Sequence, residues 1–270
     1  MQERWSRLEG VVDVDAVRAK NALVVGLGSG GSTVALELAK AGVGGLVLVD
    51  PDHIEESNLI RHECDDRYYG WNKSEAVADL IGHRNPEARV GVVAQDAFKM
   101  GRRLEDLAAE ADLVAVCTDA EPPKHLLNRL CTMYGTPAVY AGVYERGTGG
   151  EVLHCAGGPK DPCYACVTSV LKESAPSGPE HELDYGMIGP DGTIHGAPGL
   201  GLDVRFIALL HAKVCLMALT GQGPPGNVVL FGTAPVEGLF PRAFASAVLT
   251  VARQDDCLVC RPLKEVATSV

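Results

Sequence analysis

Hydrophobic residues come along this chain in short runs that alternate with segments of helical spacing. Leu23 to Val25 is an apolar run rich in β-branched residues that ends at Gly26, and Leu46 to Val49 is a second such run. Between them, Ser32 to Ala41 places Val34, Ala35, Leu38 and Ala41 at helical spacing, and Gly42 supplies a stop. The stretch from Ala22 to Asp50 therefore predicts strand, glycine turn, helix and strand. The pattern recurs downstream. Pro51 ends the second strand, and a polar loop carries Asp52, Asn58 and Arg61. Lys73 then opens a helix over Ser74 to Gly82, with Ala76, Val77, Leu80 and Ile81 on its apolar stripe, and Pro86 closes that segment. Arg89 to Ala94, Asp112 to Cys117 and Ala138 to Gly142 predict strands, with helices at Leu104 to Ala111 and Lys124 to Tyr134. Strands alternating with helices imply a Rossmann-like α/β fold, a mainly parallel sheet with helices on both faces. Ligands of such sheets bind beyond the carboxyl ends of the strands, where Gly26, Asp50 and Asp119 all fall.

The flanks are patterned differently. Val11 to Lys20 reads as a short helix, and Arg4, Trp5 and Arg7 before it as a surface lead-in. Glu151 to Cys155 predicts an antiparallel strand, and Gly157 to Gly192 a Gly-, Pro- and charge-rich loop with one short helix after Cys166. Gly196 to Leu219 is expected to be a buried apolar helix, and Asn227 to Gly232 another strand. The expected organisation is one domain over 1–270: a lead-in at 1–21, a nucleotide-binding core at 22–142, and an antiparallel, cysteine-clipped portion at 143–270.

The nucleotide assignment rests on the glycines. Gly26, Gly28 and Gly31 form G-x-G-x-x-G, with Gly30 as an extra glycine. The first permits a tight turn, the second lets a phosphate approach the backbone, and the third lets helix pack on strand. The helix amino terminus adds free N–H groups and a positive dipole end. Asp50, roughly 20 residues further on, stands where a carboxylate takes ribose hydroxyls. On this stretch alone the ligand is either a dinucleotide or ATP. Arg61 and Lys73 are either solvated surface charges or cations that neutralise phosphates. Asp119 is either a magnesium ligand or the N-cap of the next helix.

Composition narrows the classes. With 270 residues, 46% apolar and 22% charged, the chain has ample material for a core, and disorder is excluded. A net charge of −11 excludes nucleic acid as the main partner. The opening MQERWSRLEG does not resemble a signal peptide, and no apolar run approaches the roughly 20 residues of a membrane span, so a cytoplasmic location is expected. The nine cysteines are then expected to be free, metal-bound or catalytic. Cys163-Tyr-Ala-Cys166 and Cys257-Leu-Val-Cys260 are two knuckle-type pairs that together offer four thiolates to one structural zinc. A redox dithiol is the alternative, but neither pair lies between a strand and a helix of the core. Cys117, Cys131 and Cys215 read as core residues, Cys64 and Cys155 lie near polar turns, and His195 reads as a loop histidine.

Taken together, GLGSGG, VLVDPD, SNLIRH, the lysine of NKSEA, CTDA, PCYAC and CLVC resemble the ThiF/MoeB-type adenylyltransferases, relatives of the ubiquitin-activating enzymes. The resemblance runs from about Arg4 to Cys260 with its motifs in the family's order. It implies a homodimer that uses ATP and Mg²⁺ to adenylate the C-terminal glycine carboxylate of a small ubiquitin-like protein ending in Gly-Gly. By match to the motifs, Asp50 would hold the ribose, Asn58, Arg61 and Lys73 the phosphates, and Asp119 the magnesium. Arg7 would enter the partner subunit's site, which reverses its reading as surface charge. Two departures stand out: His62 replaces a glutamine of N-L-x-R-Q, and Ala120 replaces the asparagine of D-N. No cysteine occurs between Cys166 and Cys215, so a separate sulfur donor, or Cys155 or Cys64, would have to take the acyl group onward. Competing readings are adenylation of a peptide or small carboxylate, a dinucleotide-dependent oxidoreductase, and an idle scaffold. Retention of Arg61, Lys73 and Asp119 argues against the last two.

Overall fold

The computed structural model describes residues 2–174, 186–188, 194–196 and 199–261. Two short helices, α1 (Gln2–Trp5) and α2 (Val14–Arg18), open the chain. They lead to β1 (Asn21–Val25), α3 (Ser29–Lys40) and β2 (Gly45–Val49). After α4 (Glu56–Leu59) and α5 (Lys73–Arg84) come β3 (Arg89–Val93), α6 (Arg102–Glu110) and β4 (Leu113–Val116). Then follow α7 (Glu121–Tyr134), β5 (Ala138–Val143), β6 (Gly149–Cys155) and α8 (Tyr164–Ser174). A small hairpin, β7 (Gly186–Ile188) with β8 (Ile194–Gly196), precedes α9 (Gly201–Leu219), β9 (Val228–Gly232) and β10 (Ser246–Leu249).

All strands but the hairpin join one eight-stranded sheet in the order β10-β9-β6-β5-β4-β1-β2-β3. The strands from β3 to β5 run parallel, and β6, β9 and β10 pair antiparallel. This matches the expected mixed α/β architecture. The pleat of the sheet sorts its side chains into two cores. Ala22, Val24, Leu46, Leu48 and Ala115 face α3, α5 and α9. Leu23, Val25, Val49, Val114 and Val116 face α6, α7 and α8. Burial on both faces explains why β1, β2 and β4 read as continuous apolar runs, not alternating ones. Each fully buried Leu or Val there contributes about 1.5–3 kcal/mol.

Sequence order reverses between β1 and β4: the chain moves outward through β2 and β3, then returns to place β4 on the other side of β1. That reversal opens a crevice at the carboxyl ends of β1 and β4.

Several expectations need correction. The lead-in is not mere surface, because Trp5 is buried with its ring against Gly42, and Val17 of α2 is fully buried. The helix expected after Cys166 begins at Tyr164, since Tyr164 and Val167 pack into the second core. Helix α9 is not buried all round. Its Ile207, Ala208, Ala212 and Cys215 pack inward, while Leu202 and Leu209 are 66% and 48% exposed. A helix laid on one face of a sheet keeps a free flank whatever its composition. Strand β10 was not foreseen; its residues are exposed, so no buried alternation marks it. Of the loop expected over Gly157 to Gly192, residues 175–185 and 189–192 lie outside the described residues and 186–188 form β7; His195, expected in a loop, belongs to β8.

Candidate functional site

The crevice holds a cavity of about 940 Å³, open to solvent, and the glycine turn forms its floor. The glycines divide their work. Gly26 has φ +90°, and a β-carbon there would lie 2.7 Å from the Cys117 carbonyl oxygen. A β-carbon on Gly31 would lie 2.0 Å from the Gly26 carbonyl oxygen, so α3 reaches its close seat only because that atom is missing. At Gly28 and Gly30 a β-carbon would meet nothing within 4 Å, because both glycines face the cavity. Gly28 is the N-cap of α3 and offers no capping side chain, which leaves the first N–H groups of the helix for a ligand.

Leu27, inside the turn, is clamped at both backbone groups. Its N–H donates to Asp50 Oδ2 at 2.5 Å, and its carbonyl accepts from His62 Nε2 at 2.7 Å. His62 Nδ1 in turn accepts from the Cys64 N–H at 3.0 Å, which fixes the ring as the Nε2–H tautomer. A neutral imidazole thus supplies one donor and one acceptor, both of which a glutamine amide can also supply. Burial lowers the His62 pKa and keeps the ring neutral. The substitution of His62 for glutamine therefore preserves a polar pattern. Asp50 is buried; burial raises its pKa against the N–H bonds from Leu27 and Asp52. Each of its oxygens already accepts one backbone N–H and keeps a further lone pair.

The cations come from other elements. Asn72 caps α5 through the Ser74 N–H, and its amide ties the helix to the Asp50 and Asp52 carbonyls at the end of β2. Lys73, next in sequence, pairs with Asp52 at 3.0 Å. Arg61, half-buried, lines the cavity. Asp119 stands at the rim after β4. Its pKa is raised by the surrounding protein, and the fields of Lys124, Arg61 and Lys73, in that order, oppose the rise. Arg61, Lys73 and Asp119 thus share one electrostatic site. Helix α7 begins at Glu121 with Ala120 as its N-cap and no side-chain cap bond. Pro122 and Pro123 have no N–H to satisfy there, so the cap reading of Asp119 falls.

Gly28, Gly31, Arg61 and Asp119 line one cavity, with Gly26 and Asp50 braced directly behind it. Asn58 instead closes the capping box of α4, its Oδ1 accepting from the Glu55 N–H at 3.1 Å. Arg7 is exposed and does not line the cavity. Sequence reasoning missed Lys124, Arg146 and His211, which do line it. The sequence pattern places Lys124 at the first residue of its helix, but that helix starts one turn earlier, at Glu121. Arg146 adopts φ +56° at the cavity rim. His211 is buried within the apolar α9, its Nε2 bonded to the Val139 carbonyl at 3.0 Å, and burial pushes its pKa down to about 4.

The second constellation lies apart from the cleft. Cys163, Cys166, Cys257 and Cys260 bring their sulfurs within 4.8 Å of one another. Separations of 3.9 Å (Cys163–Cys166), 3.7 Å (Cys163–Cys257) and 3.4 Å (Cys166–Cys260) lie near the roughly 3.8 Å edge of a tetrahedral zinc–thiolate site. Donors surround the sulfurs: Asn128 Nδ2 to Cys163 at 3.5 Å and the Gln254 N–H to Cys166 at 3.4 Å. Such bonds favour the thiolate form that a metal needs. The donor set fits zinc. Cys64 and Cys155 are both buried, and burial pushes the Cys64 thiol up to about 12 and raises Cys155 well above the ordinary range. Neither holds the thiolate that a covalent role demands.

Fold and crevice together define a class: doubly wound α/β proteins with a glycine-turn ligand site at the sheet's switch point. The chain belongs to the ThiF family, whose model matches residues 2–257. It is 31% identical over 215 residues to the sulfur carrier protein ThiS adenylyltransferase of Escherichia coli, covering 77% of this chain and 76% of that protein. It is 35% identical over 147 residues to the SAMP-activating enzyme E1 of Haloferax volcanii, covering 54% of this chain and 52% of that enzyme. The chain thus spans about half the length of the haloarchaeal relative, and 47% and 41% of two other longer ones. A crystal structure of E. coli MccB with ATP superposes with a TM-score of 0.72 at 19% identity, over 95% of this chain and 74% of that one. That likeness is one of fold. No helix among the described residues is long and apolar enough to cross a membrane.

Proposed function

We propose that this protein adenylates the C-terminal glycine carboxylate of a small ubiquitin-like, sulfur-carrier-type protein at the expense of ATP. The observation that carries this reading is the meeting of Arg61 and Asp119 with the uncapped amino terminus of α3 around one cavity, with the charge of Lys73 acting on the same carboxylate. A dinucleotide site has no need for two cations and a carboxylate at this place, whereas a triphosphate under attack does. In the reaction a carboxylate oxygen attacks the α-phosphorus, the bond from that phosphorus to the bridging oxygen of the β-phosphate breaks, and pyrophosphate leaves. The N–H groups of α3 bind phosphate oxygens, while Arg61 and Lys73 neutralise the charge that moves onto the leaving group. Asn58 adds a phosphate contact and Asp50 takes the ribose. Asp119 would hold Mg²⁺, which supplies further charge neutralisation; a single carboxylate completed by substrate phosphates suits that ion. The four thiols bind a structural zinc and take no part in the chemistry. We further propose a homodimer in which Arg7 serves the partner's cleft, and a separate sulfur-donating protein downstream.

Pyrophosphate exchange tests the reading. The protein is given ATP, Mg²⁺, labelled pyrophosphate and a panel of Gly-Gly-ended carrier proteins, with free peptides as a second panel. Carrier-dependent exchange that falls about 10²–10³-fold in Asp119→Ala or Arg61→Ala supports it. Exchange with peptides alone moves the substrate to that class, and no exchange beside tight NAD binding overturns it.

A further inference from the structure

Lys124 belongs to neither the glycine motif nor the cation pair read from the sequence, yet it is only 2% exposed and lines the cavity. A buried ammonium is costly to hold unless it is paired. Its partner is Glu121, 2.9 Å from Nζ and one turn earlier on α7. Glu121 is supplied well beyond that one bond. The Tyr164 hydroxyl donates to it, 3.0 Å from either carboxylate oxygen, and His125 Nε2 lies 3.6 Å away. The carboxylate therefore keeps donors if Lys124 turns part of its charge elsewhere. Lys124 and Asp119 line the same cavity, and the lysine's charge opposes the rise in the Asp119 pKa.

Position then separates Lys124 from Arg61 and Lys73. The glycine turn, Asp50 and Lys73 lie over β1 and β2, the side on which the nucleotide sits. Lys124 lies on the other side of Asp119, on the helix between β4 and β5, and its field reaches Glu151 of β6. Val143, Tyr144 and Arg146 continue the cavity wall in that direction. With the nucleotide on the glycine turn, as the proposed function has it, this part of the wall is left for an acyl substrate, whose terminal carboxylate carries a charge that has to be brought beside a triphosphate.

Resting on the adenylation reading, we propose that Lys124 is the carboxylate-binding residue of the acyl substrate, held ready by Glu121 and Tyr164. It holds the terminal carboxylate against the repulsion of the phosphates and so positions the attacking oxygen. Selection of a free acid over an amide follows from the same contact.

The test is equilibrium binding of the tripeptide Ala-Gly-Gly and its C-terminal amide to protein loaded with the non-hydrolysable analogue AMPCPP. Wild type is expected to prefer the acid at least tenfold. Lys124→Met, which keeps the length of the stem, should erase that preference, and Lys124→Arg should restore most of it. Affinity for AMPCPP should stay within twofold throughout. The proposal is overturned if wild type shows no acid preference, if the preference survives in Lys124→Met, or if AMPCPP affinity falls in that variant. The last result makes Lys124 a phosphate ligand. Failure of the adenylation reading would show separately, as wild-type protein that does not bind AMPCPP.

Discussion

At the thiol cluster every ligand atom has company: four sulfurs face one another and draw in N–H donors from Asn128 and Gln254. At the cleft the polar groups meet less completely. Asp119 stands at an open rim among three cations, and α3 starts without a cap. Both constellations join residues distant in the chain; Cys163 and Cys257 are 94 positions apart. The cluster is closed and holds the chain together, whereas the cleft is left open in proportion to what it must bind. Perturbing one should leave the other largely intact.

Gly31→Ala should give the largest effect. Its β-carbon would intrude on the Gly26 carbonyl, and the turn can relieve this only by moving backbone. A loss of about 4 kcal/mol in urea unfolding is expected, with the four thiols still binding metal if the variant folds. Gly28→Ala, with open space around it, should unfold within about 0.5 kcal/mol of wild type yet lose nucleotide affinity. Equal destabilisation of the two would show that the glycines do not divide structural from ligand space.

Cys257→Ser reverses the comparison. Bound zinc should fall, and stability should drop by roughly 3 kcal/mol, or about 5 °C in Tm for a chain of this size. Nucleotide affinity should hardly change. Metal analysis showing full zinc in the variant would rule out the four-thiolate site.

Acid should strike the floor of the cleft through His211. Its pKa in the fold is pushed down from 6.5 to about 4, so the unfolded chain binds this proton first. Stability is then fully present above pH 6.5 and falls as pH drops toward 4, by about 2–3 kcal/mol from this residue. The raised pKa values of Asp50 and Glu151 act in the opposite direction, so the isolating measurement compares unfolding of wild type and His211→Gln from pH 7 to 4.5. Parallel curves would remove His211 as the cause.

The smallest effect concerns His62. Replacement by alanine leaves the Leu27 carbonyl and the Cys64 N–H unpaired, which should cost roughly 1–2 kcal/mol and weaken ATP binding. His62→Gln should recover most of both, because the amide supplies the same donor and acceptor. If glutamine does no better than alanine, ring packing and not hydrogen bonding is what His62 contributes.

The parallel half of the sheet was legible in the sequence because doubly buried strands must be apolar throughout, and β1, β2 and β4 are. The glycine spacing and the two cysteine pairs were legible because each rests on local chemistry with a fixed spacing, whereas spacing left Asp119 open between a metal ligand and a helix cap. Lys124 escaped because a lysine near a helix start normally signals solvent, and only the tertiary position of Glu121 and Tyr164 makes it a buried cation. His62 was noticed as a departure, but its equivalence to glutamine depends on where the Leu27 carbonyl points. Strand β10 and the bare flank of α9 were missed for a shared reason: neither has a buried face that sequence periodicity could mark.

The double clamp on Leu27 has a kinetic consequence. With its N–H on Asp50 and its carbonyl on His62, the glycine turn is braced at both backbone groups of Leu27. A turn held in this way should take the proposed nucleotide with little further ordering, and so with little of the usual entropic penalty for freezing a loop. Stopped-flow traces of nucleotide binding should accordingly show one phase whose rate rises linearly with ATP concentration, with no slow plateau for a loop still to close.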